Sequence, residues 1–140
     1  MPAASASRKT LRLRIGELAE RTGRSADTIR WYERQGLLPP VPRQGAHRVY
    51  SKRHVEWLEL MERLRRSGMS VAELRTYTAL AQRGAATLEQ THAMLVAHRV
   101  KVEERIAEWR AARKLVDEKI AFYSEWMETG ERPGKRNEQA

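Results

Sequence analysis

The chain has no cysteine in 140 residues. Disulfides, thiolate metal sites, iron–sulfur clusters and thiol redox sensing are therefore excluded. Long apolar runs are missing as well: none approaches the roughly 20 residues that a bilayer-spanning helix needs. Residues Met1 to Thr10 lack the apolar stretch of a secretory signal. The expectation is a bacterial cytoplasmic protein with no membrane partner. The four histidines (His47, His54, His92 and His98) include no i, i+4 pair and have no accompanying carboxylate cluster, so neither a metal site nor a cofactor is expected. No nucleophile–base set or glycine-rich phosphate loop is present, which argues against an enzyme.

What the chain does have is positive charge, unevenly placed. The net charge is +9, with hydrophobic residues at 41%, enough for a modest core. Residues 1–70 hold 15 Lys/Arg and 7 Asp/Glu, whereas residues 71–140 hold 12 and 11. A basic first half beside a nearly neutral second half points to one half facing a polyanion. DNA is favoured over a membrane surface, because that half lacks a basic amphipathic anchor.

Residues 1–10 read as a disordered arm, followed by a domain over 11–83. A helical pattern spans Leu11 to Arg21, with Ile15, Leu18 and Ala19 on one face and Gly23 as its stop. Ser25 offers an N-cap, with Asp27 in the first turn, for a second helix that buries Ile29 and part of Trp31 and runs to about Gln35. Two short helices joined at Gly-Arg-Ser outline a helix-turn-helix. Gly36 to Tyr50 holds three prolines and two glycines. Its apolar ends flank a turn around Arg43-Gln44-Gly45, which reads as a β-hairpin, or wing. Ser51 caps a third helix to about Ser67. Ser70 to Glu73 is a capping box opening a fourth, buried through Val71, Leu74 and Tyr77.

Thr87-Leu88-Glu89-Gln90 reads as a second capping box, opening a helix over 87–128. At 1.5 Å per residue that is a rod of about 60 Å. Alternating steps of four and three select Leu88, His92, Leu95, Arg99, Val102, Ile106, Trp109, Arg113, Val116, Ile120, Tyr123 and Met127. Nine of these twelve are apolar, the pattern of a coiled-coil seam that needs a partner helix. The simplest partner is a second copy, making a homodimer. His92 on the seam reads as a packed, register-setting polar residue. Residues 129–140 read as a flexible tail.

Several sequence words then carry a resemblance. They are Arg14-Ile15-Gly16-Glu17-Leu18-Ala19, the eleven residues from Thr28 to Leu38, Arg48-Val49-Tyr50-Ser51 and Leu64-Arg65-Arg66-Ser67-Gly68-Met69-Ser70. In this order the chain resembles the mercury-resistance-regulator (MerR) family over about residues 12–128. Lys119 to Tyr123 is similar to the end of the coiled coil in its small, stress-responsive branch. The resemblance implies a mostly α fold, a winged helix-turn-helix followed by a long dimerisation helix in an antiparallel coiled coil. It also implies a mechanism. The dimer sits on a near-palindromic operator within an overlong promoter spacer, and an effector makes it bend and untwist that spacer for RNA polymerase.

On this reading the second helix enters the major groove. Ser25, Thr28, Arg30, Trp31 and Tyr32 become candidate DNA contacts, with Trp31 equally open to a packing role. Arg43, His47, Arg48 and Tyr50 of the wing suit flanking phosphates, although charged tips also serve solubility. Lys52 puts a cation in the first turn of the third helix, where it opposes the helix dipole; a nearby phosphate would offset that cost, and unselected surface charge is the other reading. Arg65 and Arg66 beside Gly68 form a candidate second wing. The dimerisation residues are Leu88, Leu95, Val102, Ile106, Trp109, Val116, Ile120 and Tyr123. Trp57, Trp109 and Trp126 are either core or a ligand cage. The resemblance places Arg63 where aldehyde- and electrophile-responsive relatives have a reactive cysteine. Either the signal differs, or the protein works without that cysteine, or Arg63 helps bind an anionic effector. With Tyr77 and Trp109, Arg63 marks a candidate site for a small-molecule effector. The alternative function is an architectural or excisionase-like DNA-bending protein without an effector.

Overall fold

In the computed structural model, which describes residues 11–134, the order is two short helices, a small hairpin, a helix pair and one long helix. The expected arm (residues 1–10) and the last six positions of the expected tail lie outside the described residues. Helix α1 is Ile15–Thr22 and α2 is Ala26–Arg34. Strands β1 (Arg43–Gln44) and β2 (His47–Arg48) pair antiparallel. Helices α3 (Lys52–Arg66) and α4 (Val71–Gln82) precede a 3-10 turn (Gly84–Thr87) and α5 (Leu88–Thr129).

The first helix starts four residues later than its apolar spacing suggested. Leu13 and Tyr50 instead exchange two backbone hydrogen bonds of 2.8 Å each. The reason is visible in the pattern: Leu13 is buried between exposed Arg12 and Arg14, a period of two rather than 3.6. α1 ends at Gly23, whose φ of 68° is the left-handed conformation that a helix stop requires, and Arg24 N–H donates to the Ala19 carbonyl. The hairpin is shorter than expected, and its turn falls at Gly45-Ala46. Gly45 supplies the positive φ (63°) that matches the twist of a two-residue hairpin. Leu37 and Leu38, read as one strand end, are core residues outside any strand.

One core gathers Leu13, Leu18, Ile29, Tyr32, Leu37, Leu38, Tyr50, Leu58, Met61, Met69, Leu74 and Tyr77. α1 packs on α2 and α3, and α3 packs on α4. The Ser70 hydroxyl accepts from Glu73 N–H at 3.1 Å, as a capping residue should, and donates to the Glu73 carboxylate at 3.0 Å. Thr87 does not cap α5. Its hydroxyl is buried and donates to the Leu80 carbonyl at the end of α4, with the 3-10 turn feeding directly into the long helix.

The chain divides into two compact units, one ending at His98 and the other beginning at Arg99. The first unit therefore reaches beyond the expected limit at residue 83. Met94 and Leu95 pack against its core, and His98 is 8% exposed. His98 Nε2 lies 2.7 Å from the Ser67 hydroxyl, which itself donates to the Leu64 carbonyl at 2.9 Å. That hydroxyl proton being committed, His98 is the donor. In the second unit α5 continues with its apolar residues largely exposed.

His54 is a polar member of the core that the apolar spacing did not reveal, at 4% exposure. Its Nδ1 accepts from Ser51 N–H at 2.9 Å, and its Nε2 lies 3.2 Å from the Pro40 carbonyl. Both contacts are satisfied only by the neutral ring protonated on Nε2. Burial lowers its pKa from 6.5, opposed by hydrogen bonding to the Pro40 and Pro39 backbone. The unfolded chain thus binds a proton at higher pH than the folded one. Neutral His54 contributes its full stability above about pH 6.5, and that contribution is lost as pH falls through the lower folded value. His54→Gln keeps an acceptor for Ser51 N–H but does not titrate. The stability difference between wild type and His54→Gln, read from denaturant midpoints, should shrink as pH falls from about 7.5 to about 5; a constant difference would overturn the assignment. Leu58 is fully buried, and Leu58→Ala should cost about 2–5 kcal/mol in the same unfolding experiment.

Candidate nucleic-acid interface

Helix α2 is amphipathic over nine residues. Ser25 caps it, its hydroxyl accepting from Thr28 N–H at 3.1 Å and lying 2.9 Å from the Thr28 hydroxyl. Ile29 and Tyr32, three apart, are buried at 0% and 3% exposure. That fixes the opposite face, and Arg30 and Arg34 lie on it one turn apart, both exposed. Arg30 pairs with Asp27 at 3.1 Å within the first turns of the helix.

The wing faces this helix. A groove of about 690 Å³ is lined by Arg14, Ile15, Arg30, Glu33, Arg34, Arg43, Ala46, His47 and Arg48. Five arginines thus stand against one carboxylate. Arg43 and Arg48 are cross-strand partners on β1 and β2, so the hairpin register brings two like charges together. Such a pairing is unfavourable unless an anion is near. Glu33 supplies one: it forms an ion pair with Arg48 and accepts from the Tyr50 hydroxyl at 3.4 Å. Burial raises the Tyr50 pKa, with Arg48 and Arg30 acting in the opposite direction. The phenol is therefore a hydrogen-bond donor at neutral pH.

Of the residues expected at the interface, Arg30, Arg43, His47 and Arg48 are brought together in the groove. Tyr32 and Tyr50 are not surface groups but core residues; their aromatic bulk is spent on packing. Trp31 is half-buried, edge-on to Tyr32 with 5.2 Å between ring centroids, and the Arg65 guanidinium lies 4.9 Å above its ring. Such a cation–π contact holds Arg65 against α2. Arg66 pairs with Glu62 at 2.9 Å, and Glu62 also pairs with Arg24 from the turn between α1 and α2. Lys52 is exposed, 3.7 Å from Glu56. Arg14 and Arg34 complete the groove and were not among the expected contacts. The i, i+4 step from Arg30 to Arg34 was the available signal for one; Arg14 joins only through the Leu13–Tyr50 bridge beside it.

The candidate effector residues are differently placed. Arg63 is exposed on α3. Tyr77 is 7% exposed and stacks on Trp57 with centroids 5.8 Å apart, and burial raises its pKa. The Trp57 indole N–H is buried without a hydrogen-bond partner among the described residues. Trp109 belongs to the second unit and is 73% exposed. Among the dimerisation candidates, Leu95 packs on the core of its own unit and Val102 is half-buried. Leu88, Ile106, Trp109, Val116, Ile120 and Tyr123 are all exposed. Leu115, Val116, Ile120, Tyr123 and Met127 line a shallow, almost wholly apolar depression on α5. Among the described residues there is no group of three or more His, Asp or Glu suited to a metal, and no helix is long and apolar enough to cross a membrane.

The chain matches the family descriptions "MerR HTH family regulatory protein" over residues 13–80 and "MerR, DNA binding" over residues 55–119. It is 32% identical to an uncharacterised HTH-type transcriptional regulator of Haemophilus influenzae over 75% of this chain and 78% of the relative. It is 30% identical to the mercuric resistance operon regulatory protein of Bacillus cereus, over 76% of this chain and 83% of that protein. Among solved structures, a MerR family regulator from Listeria monocytogenes superposes with a TM-score of 0.77 at 37% identity, covering 80% of this chain and 86% of that one. HiNmlR, a MerR family regulator lacking the sensor domain and bound to promoter DNA, superposes with a TM-score of 0.76 at 29% identity over 86% of this chain and 96% of its own. With a winged helix-turn-helix head, a 42-residue helix behind it and these likenesses along most of its length, the chain belongs to the MerR family of DNA-binding transcriptional regulators.

Proposed function

We propose that the protein acts as a homodimer on a near-palindromic promoter operator and, in response to an effector, distorts an overlong spacer so that RNA polymerase engages both promoter elements. The observation that carries this reading is the groove between α2 and the wing, with five arginines converging on a space open to a backbone of phosphates. α2 offers Arg30 and Arg34 to the major groove, where guanidinium forks match guanine edges. Arg14, Arg43, His47 and Arg48 suit the flanking backbone, which fixes register without reading sequence. Lys52, Arg65 and Arg66 lie on the surface of α3 and extend the positive field, and Ser25 and Thr28 present their hydroxyls at the start of α2. HiNmlR, with its promoter DNA, supplies a relative for the binding mode.

Dimerisation rests on the second unit. Ile106, Trp109, Val116, Ile120, Tyr123 and Met127 are between 43% and 79% exposed. An apolar strip of this length left in water is unfavourable, and an antiparallel second copy covers it with like residues. The effector is a small molecule sensed without thiolate chemistry, since there is no cysteine. Arg63, with an exposed guanidinium on α3, is the candidate group for an anionic one; Tyr77 and Trp109 remain its proposed companions in the dimer.

Binding to a duplex carrying the promoter region should weaken steeply with salt, each neutralised phosphate contributing about 0.9 to the slope of log K against log salt. Arg43→Ala should reduce that slope by about one such increment per head in fluorescence anisotropy. Salt-independent affinity would refute the interface. For the dimer, Ile120→Asp should convert the sedimenting species to a monomer and abolish the operator shift, whereas an unchanged dimer would place the subunit contact elsewhere.

A further inference from the structure

A carboxylate in the middle of a phosphate-binding groove calls for an explanation. Among the described residues Glu33 is the only acid lining that groove, and each of its oxygens has a partner. One oxygen pairs with Arg48 and the other accepts from the Tyr50 hydroxyl at 3.4 Å. Arg48 and Tyr50 are two residues apart in extended chain, so their side chains leave the same face. Tyr50 is fully buried, and its backbone is pinned to Leu13 by two hydrogen bonds. The Glu33 side chain is 21% exposed and that of Arg48 41% exposed, so the pair is partly screened from water but open toward the groove. Other groove arginines are not held this way: Arg30 pairs with Asp27, which is 94% exposed on its own helix.

We propose that Glu33 is a specificity-determining positioning residue, an internal anion that occupies Arg48 until a correctly placed phosphate competes for it. This rests on the DNA-binding reading above. On a poorly fitting duplex Arg48 stays paired with Glu33 and neutralises no phosphate, while the carboxylate repels nearby backbone. On a fitting operator the phosphate meets Arg48 in place, the wing already aligned on α2 through Glu33 and Tyr50. Like-charge repulsion suppresses wrong partners more than it weakens the right one.

The test is Glu33→Gln, which removes the charge and keeps an acceptor for the Tyr50 hydroxyl. Affinities are measured by anisotropy over a salt series for two probes of equal length: a duplex recovered by in vitro selection with the full chain, and a random-sequence duplex. The expected result is tighter binding of the random duplex and a fall of about tenfold in the selected-to-random affinity ratio. The salt slope on the random duplex should steepen by about 0.9 per head as Arg48 becomes free to displace a counterion. In an Arg48→Ala background, Glu33→Gln should no longer steepen that slope. A parallel loss on both duplexes with an unchanged slope, or an equal gain on both, overturns the proposal. Glu33→Asp, which keeps the charge on a shorter arm, should retain most of the discrimination even where it lowers the melting temperature; loss of discrimination equal to that of Glu33→Gln would also overturn it. Failure of the DNA-binding reading is a separate outcome, in which the wild-type chain binds neither duplex.

Discussion

Nine residues are too few to persist as a helix in water, because nucleation is unfavourable and only a few hydrogen bonds follow it. Helix α2 therefore owes its existence and orientation to what it buries. Ile29 and Tyr32 supply that anchor, both almost fully removed from solvent within a core shared with α1, α3 and Tyr50 just beyond the wing. With that face fixed, Arg30 and Arg34 have no freedom to face elsewhere. The charged surface of α2 is thus a consequence of apolar burial on its reverse, and the Ser25 cap sets where the helical phase begins.

The wing depends on the same anchor by a different route. Two residue pairs cannot hold a hairpin alone, and β1 and β2 contribute only that. Their support comes from outside the ladder. Tyr50 docks in the core and bridges to Leu13, Glu33 ties Arg48 to α2, and neutral His54 spans from the start of α3 to the Pro40 carbonyl. Each of these groups is polar or aromatic and reaches across elements distant in sequence. Placing Arg43 opposite Arg48 is tolerable in that setting because the nearby carboxylate and the open groove relieve the repulsion.

This separation also explains what was legible in the sequence. Helix ends were marked by local chemistry, with Ser25, Ser70 and the left-handed glycine at 23 carrying their own signals. The long helix was legible because nothing interrupts it before Gly130, and the four-three apolar stripe ran the full length. The residues that escaped were those whose roles are set by tertiary contacts. Leu11 to Leu13 offered an apolar spacing compatible with a helix, and only pairing with Tyr50 made the segment extended. Tyr32 and Tyr50 looked like phosphate contacts because a phenol serves either purpose, and burial decided between them. Arg14 and Glu33 entered the groove through partners more than fifteen positions away. Thr87 resembled a cap by spacing, but it lies in the 3-10 turn that runs directly into α5, and its buried hydroxyl donates to the Leu80 carbonyl.

Helix α5 combines two environments under one apolar stripe, and the change between them occurs where the first unit ends. Met94 and Leu95 are half-buried against the chain's own core, and His98 donates into the turn that closes α3. From Ile106 onward the stripe is open. A heptad pattern alone cannot distinguish these cases, because intrachain and interchain packing ask for the same residue types at the same spacing. The stripe's own polar members, His92, Arg99 and Arg113, are all exposed, and the closed contact is marked instead by a residue beside the stripe. His98 is buried yet hydrogen-bonded within its own unit, whereas Arg99 and Arg113 are exposed. Helix α5 therefore carries two surfaces in series: around Met94, Leu95 and His98 it closes onto the core of its own unit, and from Ile106 onward its apolar stripe is open to another helix.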